Sequence, residues 1–333
     1  MSVKKVLWIS IIVSFVLTLS IIFLPKSIYD YYEFPALNDT GGSYYFWKFL
    51  PEDKDIFARI TAWGLFALHF FTVGYLMNQL KKNPKEKGKE LSKYNYYLLF
   101  ANLGFIVLHY IHTWIWYDAL ATDTPVWSSQ GSVIVMLVLI LIIENQRRGL
   151  FFGKKVPLPK ESVRFVYKSH GFYIALATIF TFWFHPMEFT WGHLFGFFYM
   201  FLLFIQMSLS RTKMHQNRYW NFSLEILVLF HGTFVAVDTK NAPWAMFLFG
   251  FAAVFFITQI YGLKLPKWII HMTQALFVVI TLITYSGLIG ERSFADINEV
   301  FRIPVIEYVL VFVFVLVIYI PFFIKKLRQT KTL

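Results

Sequence analysis

Ten apolar stretches, most of them about twenty residues long, follow one another along the chain. They lie at about 5–25, 56–78, 95–117, 130–146, 169–185, 190–210, 220–238, 244–262, 267–289 and 304–325. No other feature restricts the fold as strongly. A helix rises about 1.5 Å per residue, so about 20 apolar residues cross the roughly 30 Å of bilayer hydrocarbon. Barrel strands would instead alternate apolar and polar residues over roughly ten positions. In lipid every backbone N–H and C=O must find its partner inside the protein, and a helix satisfies them all locally. The expected fold class is therefore all-α: a polytopic integral membrane helix bundle of about ten transmembrane helices. No soluble domain is expected, and residues 1–333 read as a single transmembrane domain. The fourth stretch is short, and its helix is expected to begin earlier, near Trp127.

Composition agrees. Only 15% of the 333 residues are charged while 57% are hydrophobic, where a soluble domain has about a quarter charged. A formal charge of +12 would suggest nucleic acid in a soluble chain. Here the Lys and Arg lie in the links between apolar stretches, and no basic face with interleaved aromatics is left over. Membrane lipids, not nucleic acid, are the expected partner. With the N-terminus in the cytoplasm, the inner segments hold 24 of the 31 Lys and Arg, as the positive-inside rule requires. Both termini are then cytoplasmic, in what is expected to be a bacterial cytoplasmic membrane. The opening "MSVKKVLWISIIVSFVLTLSIIFL" has no small-residue cleavage site and reads as a retained first span. The absence of cysteine excludes disulfides, Fe–S clusters and thiolate ligands in this chain.

The informative polar residues are the nine histidines. His69 falls near the middle of the second span. His109 and His112 lie in the outer half of the third, three residues apart and so on one helix face. His231 lies at a similar depth in the seventh. "TFWFHPMEFTWGHLFGFF", residues 181–198, is an outer hairpin: Pro186 stops the fifth helix after His185, Glu188 faces outer water, and His193 opens the sixth helix. Trp183 and Trp191 mark the interface. Imidazole binds zinc, copper or iron and carboxylate tunes the site, so His109, His112, His185, His193 and Glu188 form a candidate metal set. Asp118, Asp123 and Asp238 are candidate carboxylates behind those histidines. The plainer reading is that each histidine hydrogen-bonds a neighbouring helix. Glu144 and Glu225 are expected to pair with Arg147, Arg148 or Arg218, and Asn102, Gln206, Gln259 and Gln274 to bridge helices.

"NYYLLFANLGFIVLH" and "NRYWNFSLEILVLFH" share Asn-x-Tyr-x-x-Phe followed by a histidine, at His109 and His231. With "WGLFALHFF" and "WGHLFGFF" ahead of them, they suggest a weak parallel repeat of about 56–118 with about 190–238. If it holds, His109 and His231 are equivalent, as two axial haem ligands would be. No Walker, GxGxxG, GxSxG or HExxH motif occurs. The leading expectation is a membrane-embedded redox enzyme, or another enzyme dependent on metal or haem, acting on a quinone, a lipid or an extracytoplasmic small molecule. The alternative is a transporter or channel that handles protons or ions through its histidines. Against it, prolines are expected only in links or near helix ends, and no carboxylate at mid-membrane. A third reading is an accessory subunit with membrane-complex partners.

Overall fold

The computed structural model describes residues 2–24, 55–83, 90–116, 119–238, 244–288 and 292–330. Among these the chain is all-helical, with no strand. Ten α-helices occur there: α1 Val3–Ile21, α2 Ile56–Lys82, α3 Lys93–Trp116, α4 Val126–Arg148, α5 Lys160–Phe184, α6 Trp191–Ser208, α7 Arg218–Asp238, α8 Trp244–Ile257, α9 Lys267–Tyr285 and α10 Glu299–Thr330. Eight are long and apolar enough to cross a membrane. The other two fall short for different reasons. The first turns of α5 carry Lys160, Glu161, Arg164 and Lys168. α8 is apolar but has only 14 residues.

The ends follow local chemistry. The Asp55 side chain accepts from the Phe57 N–H at 2.8 Å and caps α2. Thr190 caps α6 through the His193 N–H at 3.2 Å. α5 stops at Phe184, because His185 precedes Pro186 and a residue before proline is driven out of the helical region. Two expectations need correcting at the last helix. α10 starts at Glu299, not near 304, and it contains both Pro304 and Pro321. Pro304 lies so near the helix start that the one donor it removes is lost close to an end, where such a loss is cheapest.

The chain divides into two compact units: residues 1–133 with 171–220, and 134–170 with 221–333. The divisions fall inside α4, α5 and α7. In the first unit α2 packs on α3, α1 on α6, and α3 on α6. Of the helices in the suggested repeat, α2, α3 and α6 belong to this unit, whereas α7 beyond Trp220 belongs to the other.

In the second unit α8 packs along α10 and against α9. The approach of α8 to α10 is close at Gly250, where a Cβ would stand 3.0 Å from the side chain of Ile303. A tight hairpin follows α4. Gly149, Phe152 and Gly153 all have positive φ, at 81°, 50° and 76°. The Leu150 N–H reaches the Lys154 carbonyl at 2.9 Å, and the Phe152 N–H caps the last turn of α8 at the Ile257 carbonyl, 2.8 Å away. Thr258 donates its hydroxyl to the Leu150 carbonyl and accepts from the Tyr308 hydroxyl at 2.7 Å. The expected ion pairs form: Arg147 meets Glu144, and Arg148 Nη1 lies 2.7 Å from both oxygens of Glu225.

Candidate functional site

Six of the nine histidines lie in the first unit, and five of them stand on α2, α3, the α5–α6 turn and α6. The α5–α6 turn is held against α3 at two points. The His109 Nε2–H donates to the His185 carbonyl at 2.8 Å, and the Met187 N–H donates to the Thr113 hydroxyl at 3.0 Å. Both contacts come from α3 residues one turn apart, which is why Thr113 and His109 share a face. The result fixes "HPMEF" over the buried side of α3.

His69, His109 and His112 are 0%, 0% and 1% exposed. The His69 ring stacks on Phe105 at 4.1 Å. The Trp183 indole N–H donates to its Nδ1 at 3.2 Å, so Nε2 carries the proton and donates to the Asn102 side-chain oxygen at 2.9 Å. Asn102 in turn donates to the Ser208 hydroxyl at 3.1 Å. Both nitrogens of His69 are therefore occupied by protein. In His109 the bond to His185 occupies Nε2, and Nδ1 is buried on the side of the Phe182 carbonyl. The ring lies 4.4 Å from that of Trp183 and 6.5 Å from that of His112. The His112 Nε2 turns the other way, to the Thr61 hydroxyl at 3.1 Å and the Ala58 carbonyl at 3.3 Å on α2. The His185 ring meets the His193 ring edge-on at 5.2 Å. Thr190 receives the His193 N–H at 3.2 Å, and its hydroxyl also pairs with His193 Nδ1 at 2.8 Å. The other ring nitrogen of His193, Nε2, lies 3.8 Å from Glu188.

The candidate set of His109, His112, His185, His193 and Glu188 is thus brought into one unit, but its nitrogens do not converge. Among the described residues no three His, Asp or Glu groups are arranged to hold a metal ion. His109 and His112 share a helix face, yet their Nε2 atoms bond to different elements. His231, the expected haem partner of His109, lies in the second unit and is half-buried on α7. Asp123 accepts from Arg59 Nε at 3.0 Å and from the Trp63 indole at 2.9 Å. Asp118 and the side chain of Asp238 lie outside the described residues.

Two further expectations are overturned by packing. Glu188 is buried, not facing water, because the turn folds back onto α3. Trp183 is fully buried and bonded to His69, while Trp191 is exposed as an interfacial residue would be. Of the polar bridges, Asn102 holds His69, Gln206 accepts from the Trp220 indole at 2.6 Å, and Gln274 reaches the Phe256 carbonyl at 2.9 Å.

A second polar feature lies wholly within the second unit. Glu225 on α7, Gln259 beyond α8 and Glu307 on α10 line one small cavity, otherwise walled by Leu, Ile, Val and Phe. Glu307 is buried, 4% exposed, two turns inside α10, which begins at Glu299. The signal was present in the sequence: Glu299 and Glu307 sit eight residues apart with no turn residue but Pro304 between them. Compared with protein-family models, curated proteins and solved structures, the chain matches none.

Proposed function

We propose that this chain is an integral membrane protein of about ten spans, with both termini cytoplasmic, that moves protons or small cations across the membrane through its buried histidines. The observation that carries this reading is the run of imidazoles in the first unit. It consists of two pairs, His193 with His185 and His109 with His112, whose ring centroids stand 5.2 Å and 6.5 Å apart; the pairs are joined by the bond from the His109 ring to the His185 carbonyl, and Glu188 lies beside His193. Imidazole is the side chain whose ordinary titration lies nearest neutrality, so it exchanges protons at working pH. Polar groups inside a membrane are costly enough that a group of them argues for use. Many large apolar side chains remain exposed on the helices, Phe71, Phe100 and Phe312 among them, and lipid tails are their natural surroundings.

The redox reading gains less support. A metal or a haem iron needs ligand nitrogens pointing at one place, whereas His69 has both nitrogens occupied and His109 and His112 bond apart. Purified protein reconstituted in vesicles containing a pH-sensitive dye provides the test. An imposed potential should drive proton flux, and His109→Ala or His112→Ala should reduce it at least several-fold. Absence of flux together with a Soret band, or with stoichiometric zinc, copper or iron, would return the redox enzyme to first place.

A further inference from the structure

The second unit contains a buried carboxylate that the histidine run does not use. Glu307 is only 4% exposed, and it makes no hydrogen bond or ion pair among the described residues. It borders a cavity of about 10 Å³, about the room of one water molecule. Eight residues separate it from the start of α10, or about 12 Å of helix.

The groups around it can be taken element by element. From α7 comes Glu225, both of whose oxygens accept from Arg148 Nη1 at 2.7 Å. From α4 comes Arg148 itself, behind Glu225 and 3.9 Å from Glu144. From the segment after α8 comes the neutral amide of Gln259. On α10 the neighbour Tyr308 turns its hydroxyl to Thr258 at 2.7 Å. No titratable residue of α9 lines the cavity. Arg148 and Glu225 cancel, so Glu307 is left as one carboxyl with no counter-charge. A bare carboxylate in such a place is among the most heavily penalised groups in a membrane interior. One positive charge must accompany it whenever it ionises. A hard metal cation asks for about six oxygens. This cavity offers one free carboxyl, one amide and a carboxylate that already accepts two bonds. A proton needs one lone pair.

We propose that Glu307 is an exchangeable proton site. Its carboxylate takes a proton from a hydronium formed on a water entering the cavity, an O–H bond forms on the carboxyl, and neutral water remains. In the reverse step the carboxyl returns the proton to that water, beside Glu225, both of whose oxygens accept from Arg148 Nη1. This site is separate from the histidines and does not depend on their role.

Infrared difference spectroscopy across a pH titration of the full-length protein in lipid nanodiscs provides the test. Wild-type protein should show the C=O stretch of one protonated carboxyl that disappears as the pH is raised. Glu307→Gln, which has the shape of the protonated acid, should lose that band entirely. Glu225→Gln and His109→Ala should retain it, and exchanging choline chloride for sodium chloride at fixed pH should leave it unchanged. If Glu307→Gln does not fold, Glu307→Asp should displace the band. The proposal fails if wild type lacks the band, if the band survives Glu307→Gln, or if it stays unmoved in Glu307→Asp. Loss of the band on adding sodium at fixed pH would also overturn it, in favour of a metal-cation site.

Discussion

Replacing Asn102 by Ala tests whether the bonds around His69 hold the first unit together. The change removes the acceptor of the His69 Nε2–H at 2.9 Å and the donor to Ser208 at 3.1 Å. Ser208 keeps its bond to the Phe204 carbonyl at 2.7 Å, so little is lost there. His69 is fully buried, so its N–H is left without a partner. An orphaned buried donor costs about 1–3 kcal/mol, and that range is the expected loss of stability. His69→Phe keeps the stack on Phe105 at 4.1 Å but deletes the same bond from the other side. In the double variant the bond is absent either way. The coupling between the two changes should therefore be about 0.6 kcal/mol and at most about 1.7 kcal/mol, the range measured between membrane helices. The assay is reversible unfolding in mixed micelles, followed by far-UV circular dichroism. Phe100→Ala, on the same helix but 67% exposed, is the control. The reasoning is refuted if Asn102→Ala costs no more than Phe100→Ala, or if the coupling is zero within error.

Gly149→Ala should destabilise the protein by more than about 1–2 kcal/mol, the cost of a left-handed residue alone. Its φ is 81°, and a Cβ would meet the Gly153 carbonyl carbon at 2.5 Å. Gly64→Ala, on α2 with no atom within 4 Å, should instead gain up to about 1 kcal/mol from helix propensity; thermal melts of the two variants decide. Arg148→Met leaves Glu225 alone in a buried place and should cost about 3–5 kcal/mol, while adding Glu225→Gln should recover most of it. The same melts check this, and failure of the double variant to recover would mean that the pair is not the reason. Because the chain has no cysteine, single cysteines report topology without background. Impermeant thiol reagents applied to intact cells should label Asp39→Cys and Asn298→Cys but spare Lys155→Cys, and the reverse pattern would invert the orientation.

Helix existence was legible because crossing hydrocarbon demands length and apolarity together, and both can be counted along a sequence. All ten apolar stretches correspond to helices, with ends moved by a few residues at most sites. Which face of each helix is buried was not legible. In a soluble helix polarity marks the outside; in these helices both faces are apolar, so the periodicity that would point to the core is nearly absent. That is why Trp183 read as an interfacial residue and Glu188 as a solvated one. The gathering of His69, His109, His112, His185 and His193 was partly legible, since each lay in the middle or outer half of its span. Their hydrogen-bond partners were not, because Asn102 and Ala58 lie on helices whose rotation the sequence leaves open. Glu307 was missed through Pro304, which reads as a helix start although the helix begins five residues earlier.

The short helix α8 has an electrical consequence. Its 14 residues extend about 21 Å, against roughly 30 Å of hydrocarbon. In a bilayer the remaining 9 Å or so would be filled by the 149–154 hairpin and the segment after Ile257. Irregular backbone is tolerated at such depth only when sealed in protein or beside water. Where water fills that depth, and α8 crosses the bilayer as in the proposed ten-span arrangement, more of the membrane voltage would drop across the length of α8 itself. A potential of 100 mV is worth about 2.3 kcal/mol for a unit charge carried across the whole of it. A charge shifted by a few ångströms beside α8 and α10 would therefore sense a larger share of that energy than the same shift on a helix surrounded by lipid.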